Sequence, residues 1–546
     1  MGQEQETAEN RTTGSTAVPA AGWRMLVLVS SVQLLSLMDR NILAILNPRI
    51  KQDLNIGDAE MGLLYGTVFA LFYALFSLPI GRLADGWIRT RLLAISIAVW
   101  SLATGLAAFA GGFALLAISR LGVGVGEASA QPAGTSLIYD HFPKARRGTA
   151  MAVFAAAVAT GLGLSSTIGG LAADWWDGLF AGASAPLGLS GWQFAFLLAA
   201  LPGFPLALLM LRAREPVRGA IDGILTPPDP APFRASAHML GSMLPVSNWV
   251  LFWHSKAGPR HWLINLGCIG AIVAAMVAIA HWCAAYSPRP PIVIGAVAID
   301  PHAMQWSVVG FGLLVILNLA QSLRLNDKTA FALIFGSPSV LICVAVGSLQ
   351  MVINYGIMGF TPLFLMKTYG LSPAVTGLEF GFLTAVVGIV GPFISGPFSD
   401  LANRWWHGGG RVLVILFSLG LSPILLPWLF SASDPTSFYG RFILYSLLLT
   451  MWLPPFYAVL YEQVLPRMRG TTASIYLFIT TIAGLGTGPY LVGMIADALS
   501  GDIASALGTV NWVAPAIVIL LIALAFRSGR DERSLLARAK AAGERL

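Results

Sequence analysis

The chain has 546 residues, of which 56% are hydrophobic and only 11% are charged. A composition this apolar excludes an ordinary soluble multidomain protein and indicates a polytopic membrane protein. The formal net charge is +7, but most lysines and arginines lie in short segments between apolar runs, which favours a positive-inside bias over nucleic-acid binding.

Residues 1–22 are polar and have no apolar core ahead of a cleavage site, so we expect a disordered cytoplasmic tail and not a secretory signal peptide. The three cysteines, Cys268, Cys283 and Cys343, lie in or beside apolar runs without CxxC spacing. This pattern argues against a disulfide framework and against a zinc site.

Twelve apolar runs are long enough to cross a hydrocarbon core of about 30 Å as helices. Six of them make up residues 23–211, at about 23–46, 58–82, 91–112, 113–138, 146–173 and 190–211. The other six make up residues 338–527, at about 338–365, 373–398, 411–430, 440–463, 470–496 and 507–527. A cytoplasmic tail, 528–546, is predicted to follow.

Between these halves lies an insert, residues 212–337, that a twelve-span protein does not need. It contains two further apolar runs, at about 262–282 and 304–323, and an even number of extra spans keeps both halves in the same orientation. We therefore predict fourteen spans with both termini in the cytoplasm. The mixed, aromatic segment 233–253 is predicted to be an amphipathic helix at the inner surface.

The insert also carries five of the seven histidines, namely His238, His254, His261, His281 and His302. Their spacing does not match a metal-ligand set, so we expect structural or interfacial histidines and no metal. The chain has neither a phosphate-binding glycine loop nor an evident nucleophile, base and acid set. We expect no enzyme activity, no ATP-driven pump and no cofactor.

Two blocks of the first half recur in the second half in the same order. At an offset of 315 positions, Gly62, Gly66, Gly81, Asp85 and Arg89 match Gly377, Gly381, Gly396, Asp400 and Arg404. At an offset of 322, Pro132, Tyr139, Asp140, Arg147, Gly148 and Thr149 match Pro454, Tyr461, Glu462, Arg469, Gly470 and Thr471. We infer two homologous six-helix bundles with a small difference in loop length.

The loop at residues 81–91 follows the pattern G-x-x-x-D-x-x-x-R-x-R between the second and third predicted spans. This pattern resembles the signature loop of the major facilitator superfamily, although Ile88 stands where that family usually has a glycine. The resemblance implies an all-α fold of two six-helix bundles. It also implies a gate at the cytoplasmic face, with Gly81, Asp85, Arg89, Arg91, Asp400 and Arg404 as the gating residues.

Ionisable residues within predicted spans are few, and placing one at the bilayer centre costs roughly 2.5–3.5 kcal/mol. With a rise of about 1.5 Å per residue, Asp39 and Arg120 lie at similar depth, so we expect them to pair. Glu127 lies two turns nearer the cytoplasm, and no cation is evident at its depth, which favours a proton-accepting role. The alternative is an ion-paired cluster that only fixes the packing of two helices.

The sequence Asp39-Arg40-Asn41, together with Arg-x-x-x-Gly-x-Gly-Glu-Ala at residues 120–128, resembles the Spinster-type branch of the same superfamily. Animal members of that branch transport lysophospholipids or sphingoid phosphates. The resemblance implies that Asp39 and Glu127 couple transport to protons. It also implies that Arg120 and Glu127 contribute to substrate binding.

The second half differs, because Asn354 stands at the repeat position of Asp39 and Leu449 at that of Glu127. Aromatic residues are frequent in its predicted spans, as expected for core or lipid-facing positions. A cavity with charges on one wall and apolar rings on the other suits an amphiphile. The predicted substrate-binding residues are Arg40, Arg120, Glu127, Asn354, Tyr355 and Trp452.

These features predict a secondary active transporter that works by alternating access, coupled to protons, for an amphiphilic organic anion or a lysolipid-like substrate. We expect a monomer in the cell's inner membrane whose partners are protons, a small-molecule or lipid-like substrate and the bilayer. The alternatives are a drug or aromatic-acid carrier of the same superfamily and, from another class, a membrane sensor that transports nothing.

Overall fold

The computed structural model describes residues 18–55, 68–180, 185–224, 229–256, 258–289, 291–294, 297–371 and 373–544. Fourteen long helices occupy the positions of the predicted spans: α1 (Ala20–Leu54), α2 (Val68–Gly86), α3 (Arg89–Ala107), α4 (Phe113–Tyr139), α5 (Lys144–Leu179), α6 (Gly191–Arg212), α7 (Pro259–Tyr286), α8 (Pro301–Asn326), α9 (Pro338–Tyr369), α10 (Pro373–Trp405), α11 (Gly410–Phe430), α12 (Pro435–Glu462), α13 (Pro466–Ala498) and α14 (Ile503–Arg533). The predicted all-α membrane fold is confirmed.

Thirteen of these helices are long and apolar enough to cross a membrane, judged on the described residues alone. The remaining one, α2, has 19 residues and stands in the place of the second predicted span. The residues directly before α2, which include Gly62 and Gly66, lie outside the described part of the chain.

Two short helices form the segment predicted to be a single amphipathic helix. They are Pro232–Met243 and Pro245–His254. Leu244 lies between them with an extended ψ of 138°, because the ring of a following proline disfavours the helical conformation. The first of the two packs on α2, where Ser236 donates a hydrogen bond of 2.6 Å to the carbonyl of Pro79.

The two inserted helices contact the rest of the protein unequally. Only 11% of the apolar window of α7 is buried, whereas 44% of the corresponding window of α8 is buried. A short antiparallel hairpin, Ile292–Ile294 with Val297–Ile299, connects the two helices. Thus α7 lies at the periphery of the described structure and α8 lies between α7 and the second bundle.

Helix α13 is interrupted where α8 packs against it. A π-helical turn, Thr481–Leu485, separates Arg469–Thr480 from Gly488–Ala498. The side chain of Gln305 in α8 donates a hydrogen bond of 2.6 Å to the carbonyl of Gly486, directly after this turn. An irregular helix leaves backbone groups unpaired in an apolar medium, and here a polar side chain from the insert supplies one partner.

Candidate functional site

An ion pair between a partly exposed arginine and a buried glutamate joins α1 to α4 in the first bundle. Arg40 contacts the carboxylate of Glu127 at 3.0 Å, and Glu127 is completely buried. The guanidinium of Arg40 also lies over two rings of α2, at 4.7 Å from the centroid of Phe69 and 4.3 Å from that of Tyr73. Glu127 therefore has a cation at its own depth, which counting along the sequence had not indicated.

Asp39 and Arg120 lie close together without the expected ion pair. Arg120 donates to the backbone carbonyl of Asp39 at 3.4 Å, while the Asp39 carboxylate accepts a hydrogen bond of 3.3 Å from Thr104 of α3. Among the described residues, two nitrogens of Arg120 and one oxygen of Asp39 find no hydrogen-bond partner, although both side chains are buried. The guanidinium of Arg120 stacks on Phe196 at 5.1 Å.

Close packing of α3 on α4 places Thr104 beside Asp39. A Cβ atom at Gly122 would lie 2.8 Å from the Cβ of Ala103, and one at Gly126 would lie 2.7 Å from the Cβ of Trp100. Larger residues at these two glycines would therefore push the helices apart. This is the close helix approach that small residues four positions apart predict.

A cavity of 510 Å³ lies between the two bundles, lined by residues of α1, α5, α9, α10 and α12. Asn41, Asn354 and Trp452 contribute to its wall, and most of the remaining lining is apolar. Tyr355 of α9 is near enough to Arg40 for the two side chains to interact electrostatically. The ion pair of Arg40 and Glu127 thus lies beside this cavity and not among its lining residues.

The same contact between the bundles occurs twice at one end of the protein, which we call the basic face because it carries the loops with Arg82–Arg91, Lys144–Arg147 and Arg467–Arg469. The Asp85 carboxylate accepts hydrogen bonds from the backbone N–H groups of Gly470 and Thr471, at 2.8 and 2.7 Å. The Asp400 carboxylate accepts from those of Gly148 and Thr149, both at 3.2 Å. Each aspartate therefore caps the first turn of a helix in the opposite bundle.

Glycines permit this approach. A Cβ atom at Gly81 would lie 2.8 Å from the carbonyl oxygen of Gly470, and one at Gly396 would lie 2.8 Å from that of Gly148. The two bundles are therefore in direct backbone contact at the basic face. The glycines and aspartates that recur in the two halves of the sequence thus form two equivalent contacts, which together close the basic face between the bundles.

The arginines of the two repeated loops are positioned differently from the expectation. Arg89 is buried and pairs with Asp140 at 2.5 Å, and its counterpart is Arg411, which pairs with Glu462. Arg404, matched to Arg89 by the first offset, is exposed, and so is Arg91. The reason is that α10 continues to Trp405, so the seven-residue difference between the two offsets falls between Asp400 and Arg411.

The first residues of the insert complete this network, which sequence reasoning missed. Asp222 contacts Arg147 at 2.7 Å and Arg469 at 2.5 Å, so one carboxylate bridges equivalent arginines of the two bundles. Burial alone would raise the pKa of Asp222, but the two arginines outweigh it and lower that pKa to about 2. The recurrence of Arg147 and Arg469 in the second repeated block was the available signal.

A second carboxylate of the same segment, Glu215, contacts Arg89 at 2.6 Å. Within the described residues, no group of three or more His, Cys, Asp or Glu side chains is arranged to hold a metal ion. The described side chains at the basic face form ion pairs and hydrogen bonds that link Arg89 to two carboxylates.

A family model and two similar proteins all indicate the same family for this chain. The family model described as Major Facilitator Superfamily matches residues 29–488. An "MFS-type efflux pump" of Mycolicibacterium smegmatis is 25% identical over 96% of this chain and 96% of its own length. "Protein spinster homolog 1" of Mus musculus is 25% identical over 87% of this chain and 73% of its own length.

Among solved structures, a bacterial homolog of the human lysosomal transporter Spinster, in an inward-facing and unoccupied conformation, has a similar fold. The TM-score is 0.51 at 19% identity, over 96% of this chain and 99% of that one.

Proposed function

The chain belongs to the major facilitator superfamily and resembles its Spinster branch, and from this premise we propose that it is a proton-coupled secondary transporter of an amphiphilic organic anion. It works by alternating access in the inner membrane, with the basic face toward the cytoplasm. The observation that supports this proposal most directly is the ion pair of Arg40 with the buried Glu127 beside the cavity between the bundles.

Arg40 is the cation that meets the substrate in this mechanism. Its side chain is 20% exposed, whereas Arg120 is only 1% exposed and is held against the backbone of α1. While Glu127 is ionised, its carboxylate occupies the guanidinium of Arg40. When Glu127 takes up a proton, that guanidinium becomes free for the carboxylate or phosphate of a substrate, so proton and anion bind together.

The test of coupling compares substrate binding at several pH values in the purified protein and in Glu127→Gln. Affinity of the original protein for its anionic substrate should rise as the pH falls, because protonation of Glu127 releases Arg40. In Glu127→Gln, Arg40 is always free, so affinity should be high and independent of pH, while uphill transport driven by a pH gradient should be lost. An Asp39→Asn variant should lose gradient-driven transport as well.

The matched control is Glu379→Gln, which removes a carboxylate from α10 that is exposed at its helix surface. Substrate binding by Glu379→Gln should show the same pH dependence as substrate binding by the unmodified protein. Gradient-driven transport that survives in both Glu127→Gln and Asp39→Asn contradicts the coupling mechanism.

The largely apolar wall of the cavity supports an amphiphilic substrate over a small hydrophilic acid. Across single-chain lipids with one anionic head, affinity should rise with chain length, because each buried methylene contributes roughly 0.8 kcal/mol. Arg40→Ala should weaken binding of every member of the series, and Arg324→Ala, on the inserted helix α8, should leave it unchanged. A response independent of chain length contradicts a lipid-like substrate.

The runner-up is a drug or aromatic-acid carrier, which the similarity to an efflux pump along nearly the whole chain supports. Such a carrier would bind aromatic cations or acids as tightly as any lipid. Binding measurements with both ligand classes under the same conditions separate the two proposals.

A further inference from the structure

A second cavity, of 510 Å³, lies at the basic face, away from the space between the bundles. It is bounded by the first turns of α1, by the end of α6 with the residues that directly follow it, and by His141 in the loop after α4. Its polar lining consists of Arg24, Arg212, Arg214 and His141, and none of the described residues that line it is a carboxylate. Ala21, Met25, Leu28 and Ala213 complete the wall.

The three arginines are exposed and make no ion pair within the described part of the chain. The nearest carboxylate in sequence, Glu215, is already held by Arg89 at 2.6 Å and by the backbone N–H of Thr90 at 3.0 Å. Like charges that converge on one cavity repel each other, and an anion placed between them removes this repulsion. The cavity therefore favours an anionic ligand with several acceptor oxygens.

The surroundings indicate that this anion carries hydrocarbon chains. Val27 of α1 is 62% exposed, and Leu208 and Leu211 of α6 are 47% and 53% exposed. These apolar residues follow the cavity into the membrane along both helices. Trp23, which packs edge-on against Phe142 at 5.3 Å, lies beside the cavity at the level where tryptophan is enriched in membrane proteins.

We propose that this cavity, which we call the α1/α6 pocket, binds the phosphate head group of an anionic phospholipid of the leaflet at the basic face. The phosphate is held by Arg24, Arg212 and Arg214, and the acyl chains lie against the exposed apolar residues of α1 and α6. The site is separate from the transport pathway and does not depend on the proposed substrate or on proton coupling.

The test measures thermal stability and lipid retention of the delipidated full-length protein. Phosphatidylglycerol should raise the melting temperature and remain bound in native mass spectrometry, whereas phosphatidylcholine with the same acyl chains should do neither. The double variant Arg212→Gln/Arg214→Gln should bind phosphatidylglycerol about tenfold more weakly, because each arginine near a membrane surface contributes to attraction of anionic lipid.

The control is Arg527→Gln/Arg530→Gln, which removes two exposed arginines near the end of α14 and should leave phosphatidylglycerol affinity unchanged. Equal binding of both lipids, or equal loss in the control variant, overturns the proposal. Inorganic phosphate that stabilises the protein as much as the lipid assigns the pocket to a free anion. If phosphatidylglycerol binds only after removal of residues 1–17, the proposal is overturned, and the pocket is assigned to the acidic residues of that segment instead of to a lipid.

Discussion

The carboxylates of Asp85 and Asp400 each cap the first turn of a helix in the opposite bundle. An aspartate in this position accepts hydrogen bonds from free N–H groups and interacts favourably with the helix dipole. In the proposed alternating-access cycle, these hydrogen bonds between the bundles break when the basic face opens. In this proposal, Asp85 and Asp400 therefore stabilise a closed state and not the fold of either bundle.

We predict that Asp85→Asn increases the open population at the basic face by about fivefold, since loss of a charge-assisted cap costs on the order of 1 kcal/mol. Distances between spin labels on the basic ends of α2 and α13 measure this population. Asp400→Asn should act in the same direction on labels at α5 and α10.

The control for this prediction is Asp434→Asn. Asp434 caps α12 by accepting from the backbone N–H of Ser437 at 2.9 Å, within one bundle and at the opposite end of the protein. Asp434→Asn should lower the stability of the protein without changing the distances between the spin labels at the basic face. Unchanged distances in Asp85→Asn mean that the cap does not hold the closed state.

Asp39 and Arg40 are neighbours in sequence whose depth in the membrane, but not whose contacts, can be predicted from their positions along the helix. Depth along a helix follows from the rise per residue, so the buried level of Asp39, Arg120 and Glu127 was predictable. The direction in which a side chain leaves the helix does not follow from its depth, because consecutive side chains are rotated by about 100° around the helix axis. Asp39 points to Thr104 of α3 and Arg40 points to α2 and Glu127, and only the assembled bundle determines these partners.

At the scale of helices, the insert contributes to the second bundle through α8. Gln305 is hydrogen-bonded to the carbonyl of Gly486 beside the π-helical turn of α13, and Gly312 packs against Ile482 of that turn. His302 of α8 also contacts the hydroxyl of Tyr490 at 2.7 Å. Helix α8 thus supports the irregular part of a helix whose first turn Asp85 caps.

We predict that Gln305→Leu destabilises the protein by about 1–3 kcal/mol, because a backbone carbonyl in an apolar environment loses its partner. Hydrogen exchange should become faster around Gly486 and remain unchanged in α4. The comparison variant is Gln52→Leu, at an exposed position near the end of α1. Equal stability of Gln305→Leu and the original protein contradicts the supporting role of α8.

Hydropathy predicted the existence of α7 and α8 but not their different surroundings. Both are apolar runs of similar length, and a run in contact with lipid is as hydrophobic as one in contact with protein. Polar side chains within the run of α8, such as Gln305, Asn318 and Gln321, are the sequence feature that indicates protein neighbours, and each of them is hydrogen-bonded to another helix. The amphipathic pattern of the segment 233–253 predicted one helix, whereas the structure has two, because Pro245 disfavours the helical conformation at Leu244.

At the scale of the whole molecule, the two bundles are held closed at the basic face by a carboxylate from their connection. Asp222 bridges Arg147 and Arg469, and its pKa of about 2 lies below the ordinary aspartate value. A lowered pKa means that the unfolded or open chain binds the proton more tightly. The stabilisation is therefore complete above pH 4 and is lost as the pH falls from about 4 to about 2.

We predict that Asp222→Asn lowers the stability of the closed protein by about 2 kcal/mol at pH 7, as the shift of that pKa implies. Opening at the basic face should increase together with this loss. The difference in melting temperature between the variant and the original protein should shrink below pH 4.

Asp327→Asn serves as the comparison, because Asp327 has a lowered pKa beside Arg467 but does not join the two bundles. It should reduce stability without opening the basic face. A constant difference in melting temperature from pH 7 to pH 2 in Asp222→Asn contradicts the bridging role.

The sequence by itself determined the spans, the two repeated halves and the aspartates and glycines of their loops, because hydropathy and repetition are recorded along the chain. Only the tertiary structure decided that Arg40 is the partner of Glu127, that Arg411 and not Arg404 matches Arg89, and that Asp222 joins the bundles. These contacts connect helices far apart in sequence, so they depend on how the helices are rotated and offset against one another, which no local pattern specifies.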